Sequence, residues 1–186
     1  MFVLMPALLA LAGLASAAPS RIVFEAETAA ATEAPLVVVS ADQVPPGSVF
    51  VEGASGGRYL EIPEKAGNPP ALDKGWARFT FDLAAGGDYI LWARVWWEGE
   101  CSNSFTVQID EMAPFLFGEN ATYKTWTWVK YPVARMMRPI KLAAGRHVLV
   151  FRNREDGVRL DQIVLSREPR FVPVGVEPAT TRGDAP

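Results

Sequence analysis

The sequence predicts an all-β sandwich of the jelly-roll kind, built as one domain. Three observations lead there. Apolar and polar residues alternate with a period of two in segment after segment, which is the pattern of half-buried strands. Gly, Pro and Asn separate many of those segments, with 15 Gly and 15 Pro in the 186 residues, as turns between short strands require. Beyond the alanine-rich leader, no stretch longer than a turn or two repeats its apolar residues at helical spacing. Many short strands in a chain of one-domain size fit a sandwich or jelly roll.

The leader comes first. Met1 to Ala18 carries no charged side chain, and Ala15-Ser16-Ala17 supplies the small-x-small pattern of a signal-peptidase site. Residues 1–17 are therefore expected to be a signal peptide, leaving a secreted or periplasmic product with no membrane segment. The usual basic opening is missing and the first positive side chain is Arg21, so the true start could lie upstream of Met1. Cys101 is the single cysteine, which excludes an intrachain disulfide and leaves a bound metal as a candidate stabiliser. A net charge of −3 gives no footing for nucleic acid or an anionic membrane as partner. Oligomeric state is left open.

The strands follow in order. The first covers Phe24 to Thr28, where Glu25 and Glu27 would share one face roughly 7 Å apart by strand rise. Ser40 to Gly75 reads as long loops, rich in Pro and Gly, around one strand at Arg58 to Pro63. Ala77, Phe79, Phe81 and Leu83 then alternate with Arg78, Thr80 and Asp82. From Asp88 to Trp97, Tyr89, Leu91, Ala93, Val95 and Trp97 take one face, and Ile90, Trp92, Arg94 and Trp96 the other. Phe105, Val107 and Ile109 mark the next strand, followed by Thr125–Tyr131, Arg146–Arg152 and Val158–Ser166. After Arg167 the tail, 168–186, is rich in Pro and small residues and is expected to be flexible.

Acidic residues stand out at both ends of this array. In the last strand Asp161 shares its face with Ile163 and Leu165 and is headed for the same region as these apolar side chains; a carboxylate aimed at a core is costly unless something positive meets it. Glu25, Glu27 and Asp161 together offer three hard oxygen ligands suited to calcium. A second reading stays open, in which both glutamates face water and Asp161 pairs with an arginine.

Four segments in order carry a resemblance: Val23-Phe24-Glu25-Ala26-Glu27, Ala54-Ser55-Gly56-Gly57-Arg58-Tyr59-Leu60, Ala143-Ala144-Gly145-Arg146-His147-Val148-Leu149 and Arg154 through Ile163. Over about 22–167 the chain resembles the carbohydrate-binding modules of families 6 and 35. The resemblance implies a galactose-binding-like jelly roll, no catalytic activity, and a glycan or polysaccharide as partner. It also implies a structural calcium held by Glu25, Glu27, Asp161 and the backbone oxygen of Arg58. In family 6 an asparagine two residues before the final-strand aspartate helps grip the sugar; here that position is Arg159. Tyr123 and Trp126 sit where the resemblance puts an aromatic platform, which would stack on a sugar's C–H face. Arg154, Glu155, Asp156 and Arg159 form a charged turn, and its two arginines could clamp a carboxylated or sulfated sugar. The alternatives are an adhesion module without a sugar site and a small glycan-cleaving enzyme.

Catalytic patterns are weak. Gly53-Ala54-Ser55-Gly56-Gly57 matches the G-x-S-x-G spacing of a hydrolase elbow, but a strand follows it where an elbow needs a helix. His147 is the only histidine and has no evident acidic partner in sequence. A zinc site is not expected from one His and one Cys.

Overall fold

The computed structural model describes residues 19–133 and 138–180. The leader and the end of the tail lie outside the described residues. The strands are β1 (Arg21–Glu25), β2 (Ala31–Glu33), β3 (Val37–Ser40), β4 (Arg58–Ile62), β5 (Trp76–Leu83) and β6 (Gly87–Trp97). They continue as β7 (Ser104–Ile109), β8 (Phe115–Gly118), β9 (Thr127–Tyr131), β10 (Ile140–Leu142), β11 (Gly145–Arg152) and β12 (Val158–Ser166). Two antiparallel sheets result. One has seven strands, with β9 and β10 beside β6, then β12, then β1 and β4, with β3 at the edge; the other has five in the order β2-β5-β11-β7-β8. The all-β sandwich read from the sequence is the fold observed.

The period-two pattern places the core. Phe79, Phe81 and Leu83 of β5, Phe105 and Ile109 of β7, and Leu149 and Phe151 of β11 point inward from the smaller sheet. Leu60, Leu91, Val95, Trp97 and Leu160 face them from the larger one. Phe105 meets Phe151 edge-on at 5.6 Å and Trp97 at 5.7 Å. Trp97 is therefore core and its neighbour Trp96 faces outward, as adjacent strand residues must.

β12 is the central strand. It pairs with β6 from Val158↔Trp97 to Ser166↔Ile90, and on its other edge with β4 and then β1. The terminal strands do meet, with Glu25 opposite Gln162. Two local departures change what they present. The first strand stops at Glu25, and Ala26–Thr28 turns into a 3₁₀ turn, held by Thr28 Oγ1 donating to the Glu25 carbonyl at 2.7 Å. Glu25 and Glu27 are thus not alternate residues of one strand. In β12 the register with β6 shifts between Leu160 and Gln162. That bulge inserts one extra residue and reverses the side-chain parity. Leu160 and Ile163 both stay in the core, while Asp161 faces out with Arg94, not with Ile163 and Leu165 as unbroken alternation implied.

The tail is also unlike its expectation. Thr180 N donates to Val23 O at 3.1 Å, and Glu177 N donates to Gln162 Oε1 at 2.9 Å. Trp128 Nε1 donates to Gly175 O at 2.9 Å. Phe171 packs against the outer-face cluster of Val23, Trp92 and Val164, with the Arg21 guanidinium 4.6 Å over its ring. Residues 168–180 form a strap across the outer face of the larger sheet rather than a frayed end. Proline suits such a segment, since extended chain over a finished sheet need not join its ladder.

Candidate functional site

Two polar centres share the outer face of the larger sheet. The first is an acidic corner where β1, the 3₁₀ turn at Ser55–Gly57 and the β12 bulge converge. Glu25 Oε1 accepts from Ser55 Oγ and Gln162 Nε2, each at 2.9 Å. Asp161, fully buried, accepts the Ser55 backbone N–H at 2.8 Å through Oδ1 and is ion-paired to Arg94 Nη1 through Oδ2. Glu25 Oε2 and Glu27 Oε2 are buried without a hydrogen-bond partner. Burial pushes the Glu27 carboxyl up to about 7; Glu25 and Asp161 raise it further, and its backbone N–H and Arg58 offset part of the rise. Burial likewise takes Asp161 to about 6 in spite of Arg94 and the Ser55 N–H.

Among the described residues no three His, Cys, Asp or Glu side chains are gathered as a ready metal cage, and Asp161 is paired with Arg94. The chemistry nonetheless fits a hard cation: two buried carboxylate oxygens lack partners, and each ionised carboxylate has acceptor capacity beyond one bond. Arg94 is the residue sequence reasoning missed. It is the only charged side chain from Tyr89 to Trp97, and a lone arginine among aromatics calls for an acid partner.

The second centre is a pocket of about 460 Å³ lined by Gly47, Val49, Val51, Glu61, Glu64, Lys65, Glu98 and Arg159. The loop between β3 and β4 forms one wall, fixed where Tyr59 Oη donates to Val49 O at 3.0 Å and accepts from Val51 N at 2.9 Å. At its floor Arg159, 3% exposed, lies 2.8 Å from Glu61 Oε1 and 3.0 Å from Glu98 Oε2. The Glu61 contact lacks hydrogen-bond alignment, so both Glu61 oxygens and Arg159 Nε remain without a hydrogen-bond partner. Burial raises the Glu61 pKa, tempered by the nearby Ser48 hydroxyl and by Arg159. Glu98 is held low: burial opposes this, but hydrogen bonds from Arg159 and Lys124 outweigh it.

The remaining candidates separate. Trp126 is half-buried and does not line the pocket. Its Nε1 donates to Glu52 O at 2.8 Å, Tyr59 and Trp96 meet it edge-on at 5.4 and 5.7 Å, and the Arg94 guanidinium lies 5.3 Å over its ring. Tyr123 is 36% exposed and precedes Lys124, whose Nζ lies 3.3 Å from Glu98 at the pocket. Arg154 and Glu155 belong elsewhere. Arg154 binds Ser104 Oγ, Glu155 at 2.6 Å and Glu119 at 3.3 Å, while Glu155 accepts from Asn103 N at 2.8 Å. The two-arginine clamp is not assembled, because Arg154 and Arg159 are each spent on different carboxylates. His147 does have an acidic partner, Asp110 Oδ2 at 2.7 Å; its other nitrogen lies 3.1 Å from Ala143 O, and no hydroxyl or thiol among the described residues is bonded to it. Ser55 is tied to Glu25, with a strand after it.

No family model and no curated protein matches the sequence. Solved structures do. The C-terminal family 6 module of a marine laminarinase from Zobellia galactanivorans matches with a TM-score of 0.53 at 14% identity, over 79% of this chain and 99% of that one. A family 35 module from Clostridium thermocellum matches with a TM-score of 0.50 at 14% identity, over 79% and 98%. The fold is that of the family 6 and family 35 carbohydrate-binding modules. A β-(1,4)-mannanase of Podospora anserina that carries a family 35 module gives a TM-score of 0.59 at 18% identity, over 86% of this chain. This module fold spans only 29–30% of the first glycan-cleaving enzymes it matches.

Proposed function

We propose that this chain is a non-catalytic, exported carbohydrate-binding module that holds a polysaccharide or cell-surface glycan in the pocket around Arg159. The observation that carries the reading is the buried, incompletely satisfied polar floor of that pocket. Arg159 Nε and the Glu61 oxygens lack hydrogen-bond partners at the bottom of a cavity of about 460 Å³. Buried polar groups without partners are rare in folded proteins, and sugar hydroxyls are donors and acceptors of the right kind. Arg159 stands where the resemblance places a sugar-gripping asparagine, and Tyr123 at the neighbouring loop supplies an aromatic face.

Calcium has a structural part in this proposal. Glu25, Glu27, Asp161 and the Arg58 carbonyl would hold it, neutralising the two glutamates, whose Oε2 atoms are buried without hydrogen-bond partners, while Asp161 is shared with Arg94. Its chemistry there is charge neutralisation, not catalysis.

Affinity electrophoresis against mannan, laminarin, galactan, dextran, chitosan and pectin tests the function. Retention by at least one polymer, weakened by Tyr123→Ala, is expected; free migration through all of them overturns it. A second reading, an adhesion module without a sugar site, is favoured by one observation: the Arg159 fork is already engaged by Glu61 and Glu98. Free migration would leave that reading standing.

A further inference from the structure

The pocket's charges identify which glycan chemistry fits, on the reading that a glycan binds there. Three carboxylates, Glu61, Glu64 and Glu98, line it against Arg159 and Lys65. The one buried cation is consumed, with Glu61 and Glu98 at 2.8 and 3.0 Å. Lys124 is also spent on Glu98, at 3.3 Å, so an anionic sugar entering the pocket would meet three carboxylates with only the exposed Lys65 to receive it. Glu61 is 1% exposed, and its Oε2 makes no well-aligned hydrogen bond among the described residues, with the Ser48 hydroxyl and Arg159 close to the carboxylate. A buried carboxylate oxygen is satisfied best by a donor that carries positive charge.

We infer that the pocket selects a glycan bearing free amino groups, a partly or fully deacetylated amino-sugar polymer, whose ammonium binds Glu61 with Glu64 at the rim. Arg159 holds the Glu61 carboxylate in place and acts as a positioning residue. Val49 and Val51 supply the apolar wall against the ring's C–H face. This is the opposite of the uronic or sulfated ligand that two free arginines would have favoured.

Isothermal titration with the glucosamine hexamer, its N-acetylated counterpart and cellohexaose, at a pH where the amines are protonated, tests the inference. The free-amine hexamer should bind at least about tenfold tighter than either neutral one, the difference made by one charge-assisted hydrogen bond. Glu61→Gln should abolish that preference. Glu64→Gln, an exposed substitution that leaves the buried pair untouched, should reduce it in a protein whose fold is not at risk. Glu111→Gln, an exposed change in the turn after β7, controls for attraction between a cationic sugar and an acidic protein and should leave binding unaltered. Equal loss in Glu111→Gln and Glu64→Gln overturns the site. Equal or tighter binding of a neutral hexamer overturns the amine assignment while the carbohydrate-binding function stands. Failure of every glycan to bind, here and in the polymer panel, overturns both.

Discussion

Burial raises the carboxyl groups of Glu27 to about 7 and Asp161 to about 6, so the folded chain holds these protons more tightly than the unfolded chain does. Stability from such groups is complete below their unfolded values and is lost as pH rises through the folded ones. In chelator, the melting temperature should therefore fall from about pH 4 to about pH 7. Calcium should restore it, most strongly above pH 7, where both carboxylates are ionised and Arg94 is ion-paired with Asp161 alone among the described residues; a chelated melt flat across this range would contradict the corner's electrostatics. Asp161→Ala leaves Arg94 buried without its carboxylate, a loss of about 3–5 kcal/mol for a broken buried pair, and should abolish the response to chelation. Of this corner the sequence displayed the acids and hid their geometry. Alternation carries no sign of the 3₁₀ turn after Glu25 or of the bulge at Asp161: the turn is closed by a local bond from the Thr28 hydroxyl, and the bulge is set by pairing with β6, far away in sequence. Arg94 was visible as the one charge in an apolar strand, though not its partner.

Elements with long alternating patterns were legible because their burial is set by the two-residue period: β5, β6, β7 and β11 point inward at the positions alternation assigns. β2, β3, β8 and β10 are three or four residues long and too short for a period to register. The strap was hidden for another reason. Its Pro- and Val-rich composition is that of a loose end, and only the apolar outer face formed by Trp92, Val164 and Val23 gives it a place to lie. Truncation after Arg167 should uncover that face and cost about 2–3 kcal/mol, or roughly 4–12 °C at this chain size. An unchanged melt would mean the strap is not docked. Gly157 makes a sharper test of the turn into β12. It has φ +71°, and a Cβ there would fall 2.1 Å from Glu64 Oε2 and 2.9 Å from Ser102 Oγ. Gly157→Ala should cost at least about 1–3 kcal/mol of strain and shift Glu64 at the pocket rim, read as a lowered melting temperature together with weakened glycan binding.

At the scale of the molecule, the sandwich is a frame that leaves one face of its larger sheet partly roofed. The β3–β4 loop covers it beside Tyr59, the strap covers it over Trp92, and the Arg159 pocket is walled by that loop. The fold class was readable from periodicity alone. The pocket was not, because Ser40 to Gly75 has no period to read and its wall is placed by Tyr59 hydrogen bonds to Val49 and Val51. Arg159 was legible as a departure from the asparagine of similar modules, while its partners Glu61 and Glu98 emerged only from strand register and the following turn. An NMR titration of backbone amides with a retained oligosaccharide tests glycan binding at the Arg159 pocket most directly. Saturable shifts concentrated at Val49, Val51, Glu61, Glu98 and Arg159 are expected. No saturable shift with any oligosaccharide, or shifts confined to the opposite sheet around Trp76 and Arg152, would contradict it.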